Sequence, residues 1–470
     1  MARSNNGASS LPVDVRVARI ALAVAAFGLL LIGFVMVYST TSVDLIDAGK
    51  DPLSDLKSQV AFALIGVVSV VLLWKFIPYT AWVTRAVWIV WFAGVVFLVL
   101  TAFIGTELYG AKRWLQIGPI GFQPSEFVKI ALLLMAVRVL YDFRAGSIEV
   151  KAAGIQVIIL VLAPLLFMYD SQSDLGTTLI CAVGILAVMW LGGVSTRFMI
   201  VLCLVGLAVV LFSIFGVGYR ADRMVYLDPW NDGQDGYGKG FNIIRSYYAI
   251  AEGGLFGVGV GNSHERFQYL FGSESDFIFA IVCEELGMLG ALLVIGLYLV
   301  ILVAGLRIAA SAPDDLGKMI AAGCTIMLVA QAFLNIGCAI GVLPTTGKPL
   351  PFISAGGTSL VASMIVVGLI LSVSNAAAEP SVYERRRADL RVVRAASPST
   401  STRASRERID GEGVRARRSS GSSSRAGGYA EGRGSRLGGS DGRGPSSRAR
   451  RASGGAGGYE RIEMPHRSRR

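Results

Sequence analysis

Histidine, cysteine and charge are all scarce in this chain of 470 residues. The two histidines, His264 and His466, argue against a histidine-based metal site, and the five cysteines show neither metal-ligand nor disulfide spacing. Charged residues make up only 16% of the chain, whereas hydrophobic residues make up 53%. A soluble domain could not bury so much apolar surface, so the composition indicates a polytopic membrane protein.

The net charge of +11 comes from the C-terminal end of the sequence. Residues 379–470 contain 22 arginines, no lysine and 10 acids, whereas the first 378 residues carry a net charge of −1. Because this Arg/Ser/Gly-rich tail has almost no apolar content, we expect it to be disordered. It is either a solvated cytoplasmic tail or a segment that contacts anionic lipid or a partner protein.

Apolar runs long enough to cross a bilayer recur along residues 16–378. They predict an all-α polytopic membrane protein with about ten transmembrane helices. The predicted spans are 16–39, 58–77, 81–104, 123–141, 152–169, 174–193, 197–216, 276–306, 318–341 and 354–377.

The distribution of lysine and arginine predicts the orientation of these spans. Residues 1–15 form a cytoplasmic N-terminus, and the tail is also cytoplasmic. The opposite face carries a large extracellular loop, residues 217–275, whose charges, aromatics and glycines suit a partly folded segment with short amphipathic pieces. Four bases lie on this outer face against the general bias and could meet a phosphate-bearing ligand at the outer leaflet. These are Lys112, Arg113, Arg220 and Arg223.

The segment 110–130, GAKRWLQIGPIGFQPSEFVKI, predicts a tight outer loop followed by a polar helix start. Arg113 and Trp114 could grip a headgroup, the first by its charge and the second at the membrane interface. Glu126 and Lys129 are three residues apart on one helical face and can pair inside the bilayer boundary. Such a pair is either structural or functional.

Two further polar segments lie beside predicted spans. In residues 170–178, DSQSDLGTT, Asp174 lies at a helix start, where capping of free N–H groups is favoured over substrate contact. In residues 335–359, three prolines and Gly347 predict a non-helical outer segment. Irregular backbone at membrane depth is tolerated where it is buried in protein or lines a cavity, so we expect a re-entrant wall beside an acidic site.

The acidic site is expected in YLFGSESDFIFAIVCEELG, residues 269–287, which places three carboxylates at the start of a long apolar helix. Acids at a membrane boundary are costly unless they are paired, hydrated or functional. A partly buried carboxylate at the interface can act as a general base toward a hydroxyl, so Asp276 is the candidate for catalysis or binding. Glu284 and Glu285 lie two or more turns deeper, and we expect them to stabilise the helix bundle.

Three motifs, in this order, resemble those of the SEDS family (shape, elongation, division and sporulation), which includes FtsW, RodA and SpoVE. They are RW…GPIGFQPSE..K, SDLGT, and DFIFA…EELG together with G.LPTTGKPLPFISAGGTS. The resemblance covers roughly residues 16–378 and leaves the tail outside it. The LPTTG form and the long basic tail look more like FtsW than RodA.

The resemblance implies a peptidoglycan glycosyltransferase that polymerises lipid II at the outer face of the bacterial cytoplasmic membrane. Asp276 matches the family's essential aspartate, which is implied to deprotonate the acceptor GlcNAc 4-hydroxyl as undecaprenyl diphosphate leaves. The outer arginines would steady that diphosphate, and Glu126 and Lys129 would line the central cavity. The substrate-binding candidates are Arg113, Trp114, Gln123, Ser125, Glu126, Lys129, Arg220, Arg223, Ser263, Arg266, Glu274 and Ser354.

The resemblance also implies partners and a cofactor. The family works beside a class B penicillin-binding protein, a transpeptidase, and other division proteins. A divalent cation (Mg²⁺ or Mn²⁺) could assist the diphosphate leaving group, although the sequence shows no dedicated ligand cluster. No nucleic-acid partner is expected.

The chain departs from the family pattern at several positions. Glu274 stands where histidine is common, and a second acid beside Asp276 would raise the pKa of one of the two. Arg266 stands where lysine is frequent, Ser173 where proline is usual and Ala355 where tyrosine is common. These differences concern the detail of acceptor positioning and leave the implied base in place.

Other functions stay open at this point. A RodA-like polymerase would act in elongation rather than in septal wall synthesis. A lipid II flippase would use polar residues inside the bundle as a translocation path, although the polar groups concentrate on one face. A scaffold that recruits the division synthase would need the acids for stability alone.

Overall fold

The computed structural model describes residues 13–108, 111–118, 120–215, 222–238, 240–267 and 269–376, and these residues are mostly helical. The predicted disordered tail, residues 379–470, lies outside the described residues, as does most of the N-terminal segment 1–15. The helices are α1 (Val13–Asp47), α2 (Ser54–Lys75), α3 (Tyr79–Val83), α4 (Arg85–Ile104), α5 (Ser125–Arg144), α6 (Val150–Gln172), α7 (Leu175–Leu191), α8 (Thr196–Phe215), α9 (Phe241–Gly253), α10 (Ile278–Ala310), α11 (Asp315–Ala339) and α12 (Gly357–Ala376).

Each of the ten predicted spans falls on one of these helices. Within the described ranges, seven helices are by length and composition able to cross a membrane, namely α1, α2, α4, α6, α10, α11 and α12. Among the others, α7 is apolar but has 17 residues, and α5 carries charged side chains along its length. The predicted class, a polytopic helical membrane protein, is therefore confirmed.

The two C-terminal helices form the centre of the bundle. In the most apolar window of α12, 89% of the residues are buried, and in that of α11 78%, against 17% in α4. Helix α12 packs against α2, while α11 packs against α7 and α10. In the connection between α11 and α12, residues 350–354 are buried, whereas Ile340, Val342 and Leu343 are exposed. Helix α4 presents its apolar side chains outward.

The long eighth span consists of two helices joined at Gly287, which has φ 68° and ψ −169°. A Cβ atom on Gly287 would lie 2.3 Å from the backbone nitrogen of Gly257, so the loop packs directly on the break. The Val258 N–H donates to the Glu284 carbonyl (2.9 Å) and thereby satisfies a backbone group that the break leaves free. Glycine is needed here for both its positive φ and its missing side chain.

Residues 106–122 form a small antiparallel sheet in the order β1 (Thr106–Leu108), β2 (Ala111–Ile117) and β3 (Ile120–Phe122). Thr106 pairs with Trp114, and Leu115 pairs with Phe122. The sequence predicted a tight loop here and missed these strands, because three short strands leave little periodic signal. The pairing matters since it fixes Arg113 and Trp114 on β2.

The segment between α8 and α10 contains a short 3-10 helix (Asp222–Leu227) and the amphipathic helix α9, which packs on α10. The Asp232 carboxylate organises the turn before α9 by accepting backbone N–H bonds from Gly240, Gln234, Gly236 and Gly238. Those bonds, with that of Gly240 first, lower the pKa of Asp232 to about 2. Among the described residues, this segment thus contains an amphipathic helix of the kind that the sequence predicted.

Candidate active site

Asp276 lies two residues before α10, in a turn that the Phe277 N–H closes by donating to the Gly272 carbonyl (3.0 Å). Its carboxylate faces Gly347 and Arg113 across a small gap. A Cβ atom on Gly347 would lie 3.6 Å from Asp276 Oδ2 and 3.5 Å from Arg113 Nη1. Because Gly347 also has φ 67°, a side chain there would be strained and would fill this gap.

The charges around Asp276 are mixed. Burial, with a smaller contribution from the Glu274 carboxylate, raises the pKa of Asp276 to about 6, while Lys348 and Arg113 oppose the rise. A carboxyl group with this pKa is ionised at neutral pH and is more basic than an ordinary aspartate. It is therefore suited to accept a proton from a hydroxyl group.

Arg113 is oriented by the end of α6. Its Nε donates to the Gln172 carbonyl (2.9 Å) and its Nη2 to the Ser173 carbonyl (2.8 Å). Ser173, where the family usually has proline, ends the helix in a left-handed conformation with φ 48°. Two carbonyls thus fix one edge of the guanidinium, and its Nη1 is directed toward the gap beside Asp276.

Asp174 and Lys348 form a fully buried ion pair, with 2.6 Å between Asp174 Oδ2 and Lys348 Nζ and with both side chains 0% exposed. Asp174 also caps α7, because it accepts hydrogen bonds from the Thr177 N–H (3.0 Å) and hydroxyl (2.8 Å). Burial alone would raise the pKa of Asp174, but Lys348 and Arg113 together hold it below its usual value. The predicted capping role is confirmed, and the pairing with Lys348 is new.

The backbone carbonyls of Ser275 and Asp276 are clamped by the connection before α12 and by α11. Asn335 donates from its side-chain nitrogen to the Asp276 carbonyl (2.9 Å) and to the Lys348 carbonyl (2.7 Å). Ser354 donates to the Ser275 carbonyl (2.6 Å). The connection 340–356, which lies within the predicted non-helical segment 335–359, is therefore bonded directly to the turn that carries Asp276.

Glu126 and Lys129 pair at the start of α5, as predicted, with 2.7 Å between Glu126 Oε2 and Lys129 Nζ. Lys129 also donates to Gln331 on α11, and Gln331 donates to the Pro349 carbonyl (3.0 Å). Both charged side chains are buried. The pair is thus linked through α11 to the same re-entrant segment that contacts Asp276.

Several buried polar atoms of this network have no hydrogen-bond partner among the described residues. They are Ser125 Oγ, Glu126 Oε1, both amide atoms of Gln172, and Asn335 Oδ1. An unpaired buried polar atom costs about 1–3 kcal/mol, so a protein interior rarely keeps several of them.

Glu284 fixes the loop before α10 rather than taking part in the Asp276 cluster. Its carboxylate accepts hydrogen bonds from the Ser263 hydroxyl (2.5 Å), the His264 N–H (2.5 Å) and the Glu265 N–H (3.3 Å). All these contacts are within the protein, and Glu284 is completely buried. The expected architectural role of Glu284 agrees with this arrangement, and it accounts for Ser263 as well.

Glu285 and Arg266 join the same loop to α1. The Ser39 hydroxyl donates to Glu285 Oε1 (2.5 Å), and Arg266 Nη1 donates to the carbonyl and the hydroxyl of Ser39. Arg266 Nη2 donates to the Gly261 carbonyl. The hydrogen bonds described for Arg266 therefore serve the loop and α1, and none of them reaches Asp276.

The remaining predicted residues divide into two groups. Trp114 is half-buried on β2 against Gly121, and Gln123 is buried immediately before α5. Glu274 lies beside Asp276, and its carbonyl accepts the Ala355 N–H (2.8 Å). Side-chain contacts are not described for two predicted bases. Arg220 lies outside the described residues, and for Arg223 only the backbone of the 3-10 helix is described.

One group of described side chains could hold a metal ion, namely Glu252, His264 and Glu284, whose ligand atoms lie within 4.8 Å of one another. The sequence predicted no such group, because the three residues are far apart in the chain. Glu284 already accepts three hydrogen bonds, and His264 Nδ1 lies 3.1 Å from Glu252. Asp276 does not belong to the group, so these residues do not fit a metal ion bound beside the candidate base.

Lys348 and Asn335 are the functional residues that the sequence reasoning missed. Both stand in the segment 335–359, which the sequence distinguishes by its backbone alone. A lysine inside an apolar membrane segment is costly unless it is paired, and this cost was the signal that could have identified Lys348. Asn335 offered no comparable signal, because its role depends on two carbonyls brought together by the fold.

The chain matches a family model described as cell cycle protein, of the FtsW, RodA and SpoVE type, over residues 20–379. It is 35% identical over 349 residues to stage V sporulation protein E of Bacillus subtilis (strain 168), covering 74% of this chain and 94% of that protein. It is 33% identical over 365 residues to the probable peptidoglycan glycosyltransferase FtsW of Geobacter sulfurreducens (strain ATCC 51573 / DSM 12127 / PCA), covering 77% of this chain and 95% of the relative.

Solved structures give the same result. A chain from a study of how a peptidoglycan synthase complex coordinates polymerization and crosslinking matches with a TM-score of 0.60 and 26% identity, covering 76% of this chain and 97% of that chain. The rod shape determining protein RodA of Thermus thermophilus matches with a TM-score of 0.55 and 26% identity, covering 75% and 95%. With the motifs, the helical architecture and the family match in agreement, the chain belongs to the FtsW, RodA and SpoVE family of cell cycle proteins.

Proposed function

We propose that this membrane protein is a peptidoglycan glycosyltransferase that polymerises lipid II into glycan strands. The observation that carries the proposal is Asp276, a partly buried carboxylate of raised pKa that faces Arg113 across the gap over Gly347. Curated relatives named peptidoglycan glycosyltransferase support the same activity. The protein is a multi-pass protein of the cytoplasmic membrane, with both termini in the cytoplasm and the site on the extracytoplasmic face.

The proposed reaction makes one bond and breaks one bond. The 4-hydroxyl oxygen of the acceptor GlcNAc attacks the anomeric carbon of the donor MurNAc and forms the glycosidic bond. The bond between that carbon and the diphosphate oxygen breaks, and its electron pair leaves with undecaprenyl diphosphate. Asp276 accepts the proton of the attacking hydroxyl, which its raised pKa favours.

The leaving diphosphate is held by bases of the outer face. Arg113 is the described candidate, because two carbonyls fix its orientation while Nη1 is directed toward the gap. A fixed guanidinium binds phosphate oxygens more strongly than a mobile one, since less side-chain entropy is lost. Arg220 and Arg223 complete the proposed set. The buried pair Glu126 and Lys129 lines the polar interior, together with the side chains of Gln123, Ser125, Trp114 and Ser354.

A divalent cation, Mg²⁺ or Mn²⁺, stays part of the proposal as an aid to the departing diphosphate. The three-ligand group at Glu252, His264 and Glu284 does not include Asp276, so the cation is proposed to be bound by the diphosphate of the substrate. A chelator should then reduce polymerisation by the wild-type protein, and added Mg²⁺ or Mn²⁺ should restore it. An unchanged rate would remove the cation from the proposal.

The proposed partner is a class B penicillin-binding protein that cross-links the new glycan, together with other division proteins. A structural neighbour from a peptidoglycan synthase complex that couples polymerization and crosslinking supports this partner. The names of the FtsW relatives favour a septal role over an elongation role. Imaging of the tagged protein in dividing cells tests the septal role, because an elongation polymerase would follow the lateral wall.

The decisive experiment supplies lipid II to the purified full-length protein with its penicillin-binding partner and measures glycan polymer. Wild type should make polymer, and Asp276→Asn should make almost none while binding the partner normally. Asp142→Asn is the matched control, because Asp142 is a carboxylate outside the Asp276 cluster that pairs with Arg138 near the C-terminal end of α5. Undiminished polymer with Asp276→Asn would refute the assignment of the base.

The same preparation tests the alternative of a lipid II flippase. The unpaired buried atoms Ser125 Oγ and Glu126 Oε1 are the observation that favours this alternative, since polar groups inside the bundle could line a path. Reconstituted vesicles with labelled lipid II on one side measure movement across the bilayer. Movement without polymer would replace the glycosyltransferase with the flippase. If neither polymer nor movement is found but the partner binds, a scaffold role is supported.

A further inference from the structure

Lys348 is almost completely buried, with 1% of its surface exposed. Its Nζ bonds Asp174 Oδ2 at 2.6 Å. Its aliphatic part occupies space beside Gly176, where a Cβ atom would lie 2.6 Å from Lys348 Cγ. The position of the ammonium group is therefore determined by an ion pair on one side and by close packing on the other.

The backbone of Lys348 is tied to Asp276 as well. One side-chain nitrogen of Asn335 donates to the carbonyls of both residues, so the two segments cannot separate without breaking a shared clamp. The residue before Lys348 is Gly347, which directly faces the Asp276 carboxylate. Lys348 thus holds the segment that forms the opposite side of the gap.

We propose that Lys348 is a positioning residue for Asp276. It acts through its positive charge, which Asp174 holds in place, and through its backbone, which Asn335 holds in place. Its side chain does not contact the substrate, because the ammonium group is buried and already bonded to Asp174. The consequence for catalysis rests on the proposed function of Asp276. The charge coupling between Lys348 and Asp276 does not depend on that function.

Three charged groups act on the Asp276 carboxylate, each from a different part of the fold. Arg113 approaches from β2, Lys348 from the segment between α11 and α12, and Glu274 from the turn of Asp276 itself. The two cations favour the ionised carboxylate and Glu274 disfavours it. Without the Lys348 charge, Arg113 would be the one remaining cation of the three groups to oppose the effect of Glu274. The pKa of Asp276 would therefore rise.

The test needs a variant that removes the charge without leaving a lone buried carboxylate. Lys348→Met alone would strand Asp174, and breaking a buried pair from one side costs about 3–5 kcal/mol. The double variant Asp174→Asn/Lys348→Met removes both charges, and an asparagine can still accept the Thr177 N–H that caps α7. Asp174→Asn alone would strand the lysine ammonium at a similar cost, so the double variant is compared with wild type. Arg138→Met/Asp142→Asn removes a second ion pair from α5 and is the control.

The measurement is labelling of Asp276 by dicyclohexylcarbodiimide, which reacts with protonated carboxyl groups. The full-length protein in nanodiscs is labelled at a series of pH values from about 4 to about 9. Peptide mass spectrometry gives the pH at which labelling of Asp276 is half-maximal. We expect a midpoint near 6 for wild type and for the control. For the double variant we expect a midpoint about one pH unit higher than for wild type, because the Lys348 cation no longer favours the ionised Asp276 carboxylate.

Equal midpoints for wild type and the double variant would overturn the proposal. The polymerisation assay gives the second readout, in which the acidic limb of the rate should move to higher pH by the same amount. If wild type made no polymer while the labelling midpoints differed, the proposed function would fail and the coupling would stand. If wild type made polymer while the labelling midpoints were equal, the proposed function would stand and the positioning role of Lys348 would fail.

Discussion

The two ends of the segment 276–284 carry acids in opposite situations. Asp276 is held through its backbone by Asn335, and its carboxylate faces cations and a gap. Glu284 lies about two turns further along and accepts three hydrogen bonds from the loop that packs on it. Both are acids at a membrane boundary, yet only the first has a carboxylate directed toward space that a ligand could fill.

The more deeply buried of these two carboxylates is not the one assigned to catalysis. Glu284 is fully buried, whereas Asp276 keeps some exposure. The difference lies in their partners. The Glu284 carboxylate accepts three hydrogen bonds from the protein, whereas the Asp276 carboxylate has Lys348, Arg113 and Glu274 as charged neighbours and a pKa of about 6. In a membrane protein, the state of an acid's partners identifies its role better than its depth.

Replacing the unsatisfied acid should have the largest effect on activity. With Asp276→Asn we expect polymerisation to fall by about 10²–10⁴-fold, the usual contribution of a general base. The thermal unfolding midpoint in detergent should stay close to that of wild type, because the Asn335 clamp holds the backbone carbonyl of residue 276. A large drop in stability with unchanged turnover per folded molecule would reverse the comparison and make Asp276 the structural acid.

Replacing the satisfied acid should act on stability first. Glu284→Ala strands the Ser263 hydroxyl and the N–H groups of His264 and Glu265, and each unpaired group costs about 1–3 kcal/mol. Thermal unfolding monitored by circular dichroism should show a clearly lowered midpoint. Glu284→Gln is the matched control, since its side-chain oxygen still accepts the two N–H bonds and should recover most of the loss. Equal midpoints for both variants and wild type would contradict the architectural role.

The helix break at Gly287, which follows Glu284 in α10, should have a smaller and separate effect on stability. Gly287→Ala places a Cβ atom at positive φ and 2.3 Å from the Gly257 nitrogen, so we expect a loss of about 1–3 kcal/mol. Gly296→Ala in the same helix is the control, because nothing lies within 4 Å of its Cβ position and alanine favours a helix. The two variants should shift the unfolding midpoint in opposite directions.

Much of the fold could be predicted because long apolar runs are a strong local signal. All ten predicted spans fall on helices. The Glu126–Lys129 pair was predictable for the same reason, since both residues lie on one face of one helix. The strands at 106–122 were missed because short strands carry little pattern, and the break at Gly287 was missed because its cause is a loop thirty residues away.

The site could be predicted only as far as single residues show their chemistry. Asp276 was identifiable as a costly acid and through the resemblance. Its partners Lys348 and Asn335 come from a segment some sixty to seventy residues further along the chain, and only the packing of α11 against α10 brings them to it. The roles of Ser263 and Arg266 could not be separated from substrate binding by sequence either, because their bonds to Glu284 and Ser39 are made across the bundle.

Glu274 offers the finest test of the comparison, because it changes the proton affinity of Asp276 without touching its bonds. The Glu274 carboxylate raises the pKa of Asp276, so Glu274→Gln should lower that pKa from about 6 toward the ordinary value of an aspartate. A lower pKa means that Asp276 stays ionised in more acidic solution, and the acidic limb of the polymerisation rate should move to lower pH by about half a unit. This is opposite in sign to the shift expected when the Lys348 charge is removed.

The matched control for Glu274→Gln is Glu252→Gln, which removes an acid of the same outer segment that bonds His264. Its pH–rate profile should overlay that of wild type. If both variants moved the acidic limb equally, the effect would reflect the general charge of the outer face rather than a neighbour of the base. If neither variant moved it, the acidic limb would report a group other than Asp276, and the electrostatic part of the contrast between Asp276 and Glu284 would fail.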